Sequence, residues 1–384
     1  MNIKIICRRY CPNEAWTNRM LAYAKGFAEN GHSVALIFLI TDNNRTPYTI
    51  AIPGVKVINL WESDNAIVRM HRGLSYLWNK NKIKRYIEDG DVCLMFDASG
   101  NYIKEVQKSS KRVKLCFETT EHPKVLLRGD TQIKKYLKSL ESYDHIFVIS
   151  ETLRKYYVEM GFESRKVQII NMFVDSDRFE GVNKTCKDKY VAYCGVVSYD
   201  KDGVNVLIES FAKFHRVFPD YKLYIIGRFI NQETERKVKE LAEKLKLSNC
   251  IKFTGQIPYN DMPKVLVNAS ILALARPDNI QNQNGFPTKL GEYLSTGNPV
   301  VVTRAGEITK FLKDKEHAYL AKCDDSEDFA NKLIYVARHY DVAITIGLQG
   351  KKLALEEFSY LKQTSRFIQI VENEQNNICC ADPR

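Results

Sequence analysis

The sequence predicts an α/β protein of two domains, each built on a parallel sheet, and three observations lead there. Short apolar runs such as IKIIC at residues 3–7 and ALIFLI at 35–40 have the length of buried parallel strands and lack polar alternation. Helical stretches lie between them, as βαβ units require. A polar break, EGVNKTCKDK at 180–189, divides the 384 residues, and a chain of that length with 45% hydrophobic residues can fill two cores.

In the first half, IKIIC and SVALIFLI (33–40) flank a helical stretch at about 17–30 that Gly31 closes. The loop RRYCPNEAWT (8–17) therefore sits at the carboxyl edge of the sheet, where open α/β sheets bind ligands, and it carries Trp16. Further strands are expected at VKVINL (55–60), VCLMF (92–96), VKLCF (113–117) and HIFVIS (145–150), with a helix at 150–160. FETTEHP (117–123) follows a strand and brings Glu118, Glu121 and His122 to the same edge. A lone loop histidine is more often a surface residue than a catalytic one. Asp175-Ser176-Asp177 imitates a D-x-D metal motif but falls in the turn before the break and reads as turn chemistry. After the break, YVAYCG (190–195) opens a second βα series that runs to about residue 340. A last helix is expected at 359–374, with a polar tail beyond it.

Composition narrows the class. No apolar run approaches the roughly 20 residues that span a bilayer. The opening MNIKIICRRY lacks an h-region and cleavage site, so no secretory signal is expected. Ten cysteines are scattered without zinc spacing, which fits a reduced, cytoplasmic protein. The net charge is +11, with 28 basic against 21 acidic side chains up to Glu180 and 29 against 25 beyond it. Residues 66–87 hold Arg69, Arg72, Lys80, Lys82, Lys84 and Arg85 and no acid before Glu88. That segment reads either as a solvated helix face or as a patch for an anionic membrane surface.

The most informative stretch is NGFPTKLGEYLSTGNPVVVT at 284–303. Gly285 lets backbone approach a ligand closely, and Pro287 suits the first helical position, where its missing N–H costs nothing. The amides of the first turn, Thr288 included, then point outward and attract phosphate. Lys289 lies in that turn, where the helix dipole disfavours a cation by roughly 0.3–1 kcal/mol unless a bound anion reverses the sign. Glu292, about two turns beyond Gly285, can reach the hydroxyls of a ribose. The plain alternative is a loop, helix and strand with solvated charges.

This stretch resembles the nucleotide-sugar signature of retaining GT-B glycosyltransferases of family 4, the glycosyl transferases group 1. The resemblance extends to YCGVVSYDKDGVNVLIESFAKFHRVFPDYKLYIIG (193–227), IKFTGQIPYNDMPKVLVNASILALA (251–275), DHIFVIS (144–150) and VQIINMFVDSDRF (167–179). It implies two Rossmann-like doubly wound parallel-sheet domains facing a cleft: an acceptor domain at 1–180, a donor domain at 181–358, and a helix and tail at 359–384 returning to the first. It implies donor contacts from Gly195, Lys201, Arg276, Asn284, Gly285, Phe286, Pro287, Thr288, Lys289 and Glu292. Trp16, Glu121 and His122 fall on the acceptor side, and His122, Lys201 and Asn284 are the catalytic candidates. Arg276 could instead be a structural partner for Asp278.

Two departures stand out. Val196 replaces the family's arginine, so Arg276 or Lys289 must help neutralise a leaving diphosphate. Asn284 replaces the family's first glutamate, keeping hydrogen-bonding capacity without the charge. The implied activity is transfer, with retention, of a sugar from a UDP-sugar, or a GDP-sugar, to a glycan or lipid-linked acceptor in surface polysaccharide or glycolipid assembly. No metal or other cofactor is expected, and no nucleic acid partner. The expected location is cytoplasmic or peripheral on the inner membrane face. The alternatives are a non-catalytic or epimerase-type homologue, and a basic module for membrane or nucleic acid.

Overall fold

A computed structural model describes residues 1–12, 14–39, 50–60, 82–96, 106–108 and 112–379, with side chains to residue 373. Of the basic segment 66–87, only 82–87 are described: a 3-10 turn at Ile83–Arg85 with Ile83 buried. The rest of that expectation lies outside the described residues.

The chain divides into two units, Met1–Asn171 with Tyr360–Arg384, and Met172–Ser359. In the first, β1 (Asn2–Cys7), β2 (Ser33–Phe38), β3 (Val55–Asn59), β4 (Val92–Met95), β5 (Lys114–Thr119), β6 (His145–Val148) and β7 (Val167–Ile169) form a parallel sheet. Its order among the described residues is β3-β2-β1-β4-β5-β6-β7. In the second, β8 (Tyr190–Cys194), β9 (Lys222–Ile226), β10 (Ile251–Gly255), β11 (Ile271–Leu274), β12 (Val300–Thr303) and β13 (Tyr319–Ala321) are parallel in the order β10-β9-β8-β11-β12-β13. Central strands are almost wholly apolar, as strands buried on both faces require; every residue of β4, β8, β11 and β12 is buried. The strand order reverses between β1 and β4 and again between β8 and β11. Connections leave those pairs on opposite faces, which opens a crevice at their carboxyl ends.

The observed division replaces the expected break at 180 with one at 171/172. Val174 N bonds to Phe358 O and Val174 bridges to Ser359, while the 3-10 turn Ser176–Phe179 packs on the helices Met262–Asn268 and Thr288–Thr296. Residues 172–179 thus share the second unit's core, which the polar stretch at 180–189 conceals. Helix ends move by a residue or a few: Ser150 is an N-cap to Glu151–Glu159, its Oγ accepting from Leu153 N at 3.1 Å, and the last helix runs Tyr360–Cys379.

That last helix packs in the first unit. Phe367 stands 5.0 Å from Phe27 and 4.4 Å from Phe147 between ring centroids. The crossing with the helix Ala15–Glu29 is close at Gly26, where a Cβ would lie 2.7 Å from Thr364 Cγ2. Asn30 Nδ2 also donates to Thr364 Oγ1 at 3.0 Å. Nearby, Arg19 and Glu118 form a buried pair with side chains only 3% and 2% exposed. Arg19 Nε and Nη2 and Tyr23 OH all donate to Glu118 Oε1, while Arg19 also donates to the Ile170 and Asn171 carbonyls. One guanidinium therefore ties the first helix, β5 and the segment after β7 together.

Breaking such a pair leaves a buried charge, at a cost of about 3–5 kcal/mol, whereas replacing both partners by apolar groups is often neutral. Arg19→Ala is expected to lower first-unit stability by that amount and Arg19→Met with Glu118→Leu to restore most of it. Urea unfolding followed by tryptophan fluorescence checks this, since Trp16, Trp61 and Trp78 all precede residue 171.

Candidate functional site

In the second unit, the expected phosphate-binding residues gather where β8 and β11 end. Gly195 directly follows β8 with φ +157°, and a Cβ there would collide with Lys289 Nζ and lie 2.9 Å from Tyr193 OH. The ammonium of Lys289 thus lies against the Gly195 backbone. Arg276 follows β11, 4% exposed, its backbone fixed by Thr303 Oγ1 donating to its carbonyl at 2.7 Å.

The cations meet at Asp202, a residue not among the candidates that the sequence offered. Asp202 ends the helical turn Tyr199–Asp202, capped by Ser198 Oγ, and its side chain is 1% exposed. Lys289 Nζ pairs with Asp202 Oδ2, Tyr193 OH donates to the same oxygen at 2.6 Å, and Arg276 Nε lies 3.7 Å from Oδ1. Arg276 is therefore paired with Asp202 and not with Asp278, whose Oδ1 accepts from Gln283. Burial pushes the Asp202 carboxyl up, but Lys289 and Arg276 outweigh it and hold the group below its ordinary range. Burial lowers the Lys289 ammonium, and Asp202 opposes that shift. Two cations with one carboxylate leave a surplus positive charge beside the glycine loop.

Lys201 contributes its carbonyl here, which accepts from Asn282 Nδ2 at 3.0 Å and Arg276 Nε at 3.4 Å. A helix absent from the sequence reading, Ile280–Asn284, explains the next residues. Asn279 Oδ1 caps it by accepting from Asn282 N at 3.0 Å, and Asn284 ends it, buried, with Nδ2 donating to Ile280 O at 2.8 Å. The N-x-x-N spacing of Asn279 and Asn282 was the available signal. Gly285 is buried in extended backbone, not in a left-handed turn, and Phe286 turns its ring inward against Phe311 and Phe358 at 5.4 Å. Pro287 is the N-cap of the helix Thr288–Thr296, which thus begins one residue later than expected, and no side chain caps that end. The ammonium and the uncapped helix start therefore belong to one element.

Glu292, one turn further, accepts from Arg178 Nη1 at 2.7 Å. Arg178 lies 3.4 Å over the Tyr259 ring and donates to the Tyr259 carbonyl. No spacing rule links Arg178 to Glu292, and only the packed turn Ser176–Phe179 brings them together. Asp175 and Asp177 sit at and in that turn. Among the described residues, no cluster of three or more His, Cys, Asp and Glu could hold a metal, and no helix is long and apolar enough to cross a membrane.

In the first unit, Trp16 lies half-buried in the first turn of Ala15–Glu29. Glu121 is half-buried in the loop after β5, its carbonyl accepting from Thr119 Oγ1 at 3.3 Å. His122 is 5% exposed and caps the turn Pro123–Leu126, Nδ1 accepting from Lys124 N at 3.1 Å, with its ring 4.2 Å from that of Tyr156. Accepting at Nδ1 puts the proton of the neutral ring on Nε2. Burial, and then Lys124, lower the His122 pKa. Below about pH 6.5 the unfolded chain takes up a proton that the folded chain resists, so this contribution to stability falls on acidification and is complete above that pH. Between pH 7.5 and 5.5 the thermal midpoint should fall less in His122→Asn, which retains a capping acceptor, than in the wild type.

Comparison with known proteins agrees with this geometry. Residues 175–352 match the family model for glycosyl transferases group 1. The phosphatidyl-myo-inositol mannosyltransferase of Mycolicibacterium smegmatis is 23% identical over 331 residues, 83% of this chain and 79% of the relative. The putative colanic acid biosynthesis glycosyltransferase WcaL of Salmonella typhimurium is 22% identical over 255 residues, 65% of this chain and 58% of the relative. The crystal structure of Anabaena Alr3699/HepE in complex with UDP and glucose superposes with a TM-score of 0.75 at 13% identity, over 97% of this chain and all of the other. With its two parallel sheets and the matched segment, the chain has the GT-B fold and its second unit belongs to the glycosyl transferases group 1 family.

Proposed function

We propose that the protein transfers a hexosyl group from a UDP-sugar, with retention, to a hydroxyl of a glycan or lipid-linked acceptor in surface polysaccharide or glycolipid assembly. The observation that carries this reading is the pair Lys289 and Arg276 beside Gly195, at the carboxyl ends of β8 and β11. A nucleoside diphosphate suits that place: its charge meets the surplus cation, and the uncapped amides before Leu290 offer donors. The UDP and glucose bound in the HepE structure, and the mannosyl transfer named for the mycobacterial relative, support the substrate class.

Departure of the diphosphate develops negative charge on its terminal phosphate, and fixed cations and amides stabilise that charge without rearranging. The same phosphate accepts the proton of the incoming hydroxyl, so no strong protein base is needed. His122, neutral with its proton on Nε2, is assigned a hydrogen bond to a sugar hydroxyl. Asn284 is assigned to a sugar hydroxyl by its place at the end of the helix Ile280–Asn284, and Glu292, whose other carboxylate oxygen holds Arg178, to the ribose. No metal is assigned a role, and full turnover in excess chelator is the expected result.

A thermal-shift panel with UDP, GDP and ADP tests the site. A ligand at 100 times its dissociation constant adds about 2.7 kcal/mol. UDP should raise the midpoint of the wild type, and Lys289→Ala should lose most of that shift. Indifference to every nucleotide would sink the reading, whereas UDP binding without sugar transfer would identify a non-catalytic homologue. The basic segment 66–87 is assigned to an anionic membrane surface that presents the acceptor. Sedimentation with anionic but not neutral vesicles is expected, and equal binding to both refutes that assignment.

A further inference from the structure

Asp202 is held so that it cannot leave its cations. Gly203 follows it with φ +61°, and a Cβ on Gly203 would collide with the Ala275 carbonyl, so the turn packs against the end of β11 with no room to spare. Arg276 is equally fixed, buried and bonded through its Nε to the Lys201 carbonyl. Lys289 differs. Its side chain is 16% exposed, and its ammonium lies against Gly195 and 5.0 Å over the Tyr193 ring, at the end of a flexible four-carbon stem. Asp202 Oδ1, moreover, has no hydrogen-bond partner, although it is buried and 3.7 Å from Arg276 Nε.

Two cations side by side in a buried place are costly without an anion. A substrate phosphate supplies one only while it is bound. We propose that Asp202 is a built-in counter-ion which holds the Lys289 ammonium in the ligand-free state and yields it to the diphosphate on binding, retaining Arg276 and Tyr193. The inference rests on the nucleotide-sugar reading and deepens it. Its consequence is competition: the carboxylate stabilises the empty site and weakens the hold on the nucleotide. Asp202 is a positioning residue and touches no substrate in this scheme. A merely structural Asp202 predicts the opposite, since its loss would misplace Lys289 and weaken nucleotide binding.

The test is calorimetric titration of UDP, with uridine as the phosphate-free control, into the wild type, Asp202→Asn, Lys289→Met and the double variant. Asp202→Asn should bind UDP about tenfold more tightly while its ligand-free thermal midpoint falls and its affinity for uridine is unchanged. With slower release of the nucleotide product, kcat and KM should fall together. Lys289→Met should bind UDP weakly, because Asp202 then faces the phosphate with one cation fewer, and adding Asp202→Asn should recover at least about tenfold. Should Asp202→Asn alone fail to fold, that comparison decides, because the double variant removes both members of the close pair. Weaker or unchanged UDP binding in Asp202→Asn, or a double variant no better than Lys289→Met, overturns the exchange and leaves the nucleotide site standing. Failure of the wild type to bind any nucleoside diphosphate overturns both.

Discussion

The reversal of strand order at β1/β4 and at β8/β11 is the constraint on which the rest of each unit depends. Right-handed crossovers from a parallel sheet send the connections on either side of that point to opposite faces. The loops after the two central strands therefore diverge, and the crevice between them leaves backbone at those strand ends open to a ligand. In the second unit Gly195 and Arg276 occupy those two strand ends, and the turn carrying Asp202 lies between them in sequence and in space. Charge collects there because the fold leaves that position open.

The electrostatics of each unit then divide along a simple line. In the first, Arg19 and Glu118 are buried and cancel each other's charge through Oε1, with two backbone carbonyls also accepting from the arginine. That arrangement holds elements together and leaves no net charge. In the second, Asp202 is outnumbered by Lys289 and Arg276, and the excess faces a glycine loop and an uncapped helix start. A balanced buried pair reads as architecture, whereas an unbalanced one at a strand-order reversal reads as a place for an anion. The Arg178–Glu292 pair on the same helix is balanced and braces the helix Thr288–Thr296 against the turn at Ser176–Phe179.

Local signals decided how much of this could be read beforehand. The run at 284–303 showed its glycine, proline, lysine and strand because each acts within one turn of itself, and the resemblance to the family rests on the same short-range pattern. The helix Ile280–Asn284 was hidden, since five residues carry no periodicity and only the Asn279 cap marks the start. Residues 172–179 were assigned to the wrong side of the domain break because polarity marks exposed linkers, while domain membership follows packing. Lys201 drew attention as the charged residue of its loop, yet its carbonyl and the neighbouring Asp202 face the cations.

By itself, the sequence determined the α/β class, the alternation of strands and helices, the C-terminal helix and the basic balance, since hydrophobic run length and turn residues act over a few positions. It also determined which residue types were available for a phosphate: Gly195, Arg276, Lys289 and the helix start. Only the tertiary structure decided which of them meet. Asp202 lies 87 positions from Lys289 and 74 from Arg276, and Arg178 lies 114 from Glu292. Pairings at such separations follow from strand order and helix packing, which periodicity does not encode, and so the sign and balance of charge at the site appear only once the sheet is assembled.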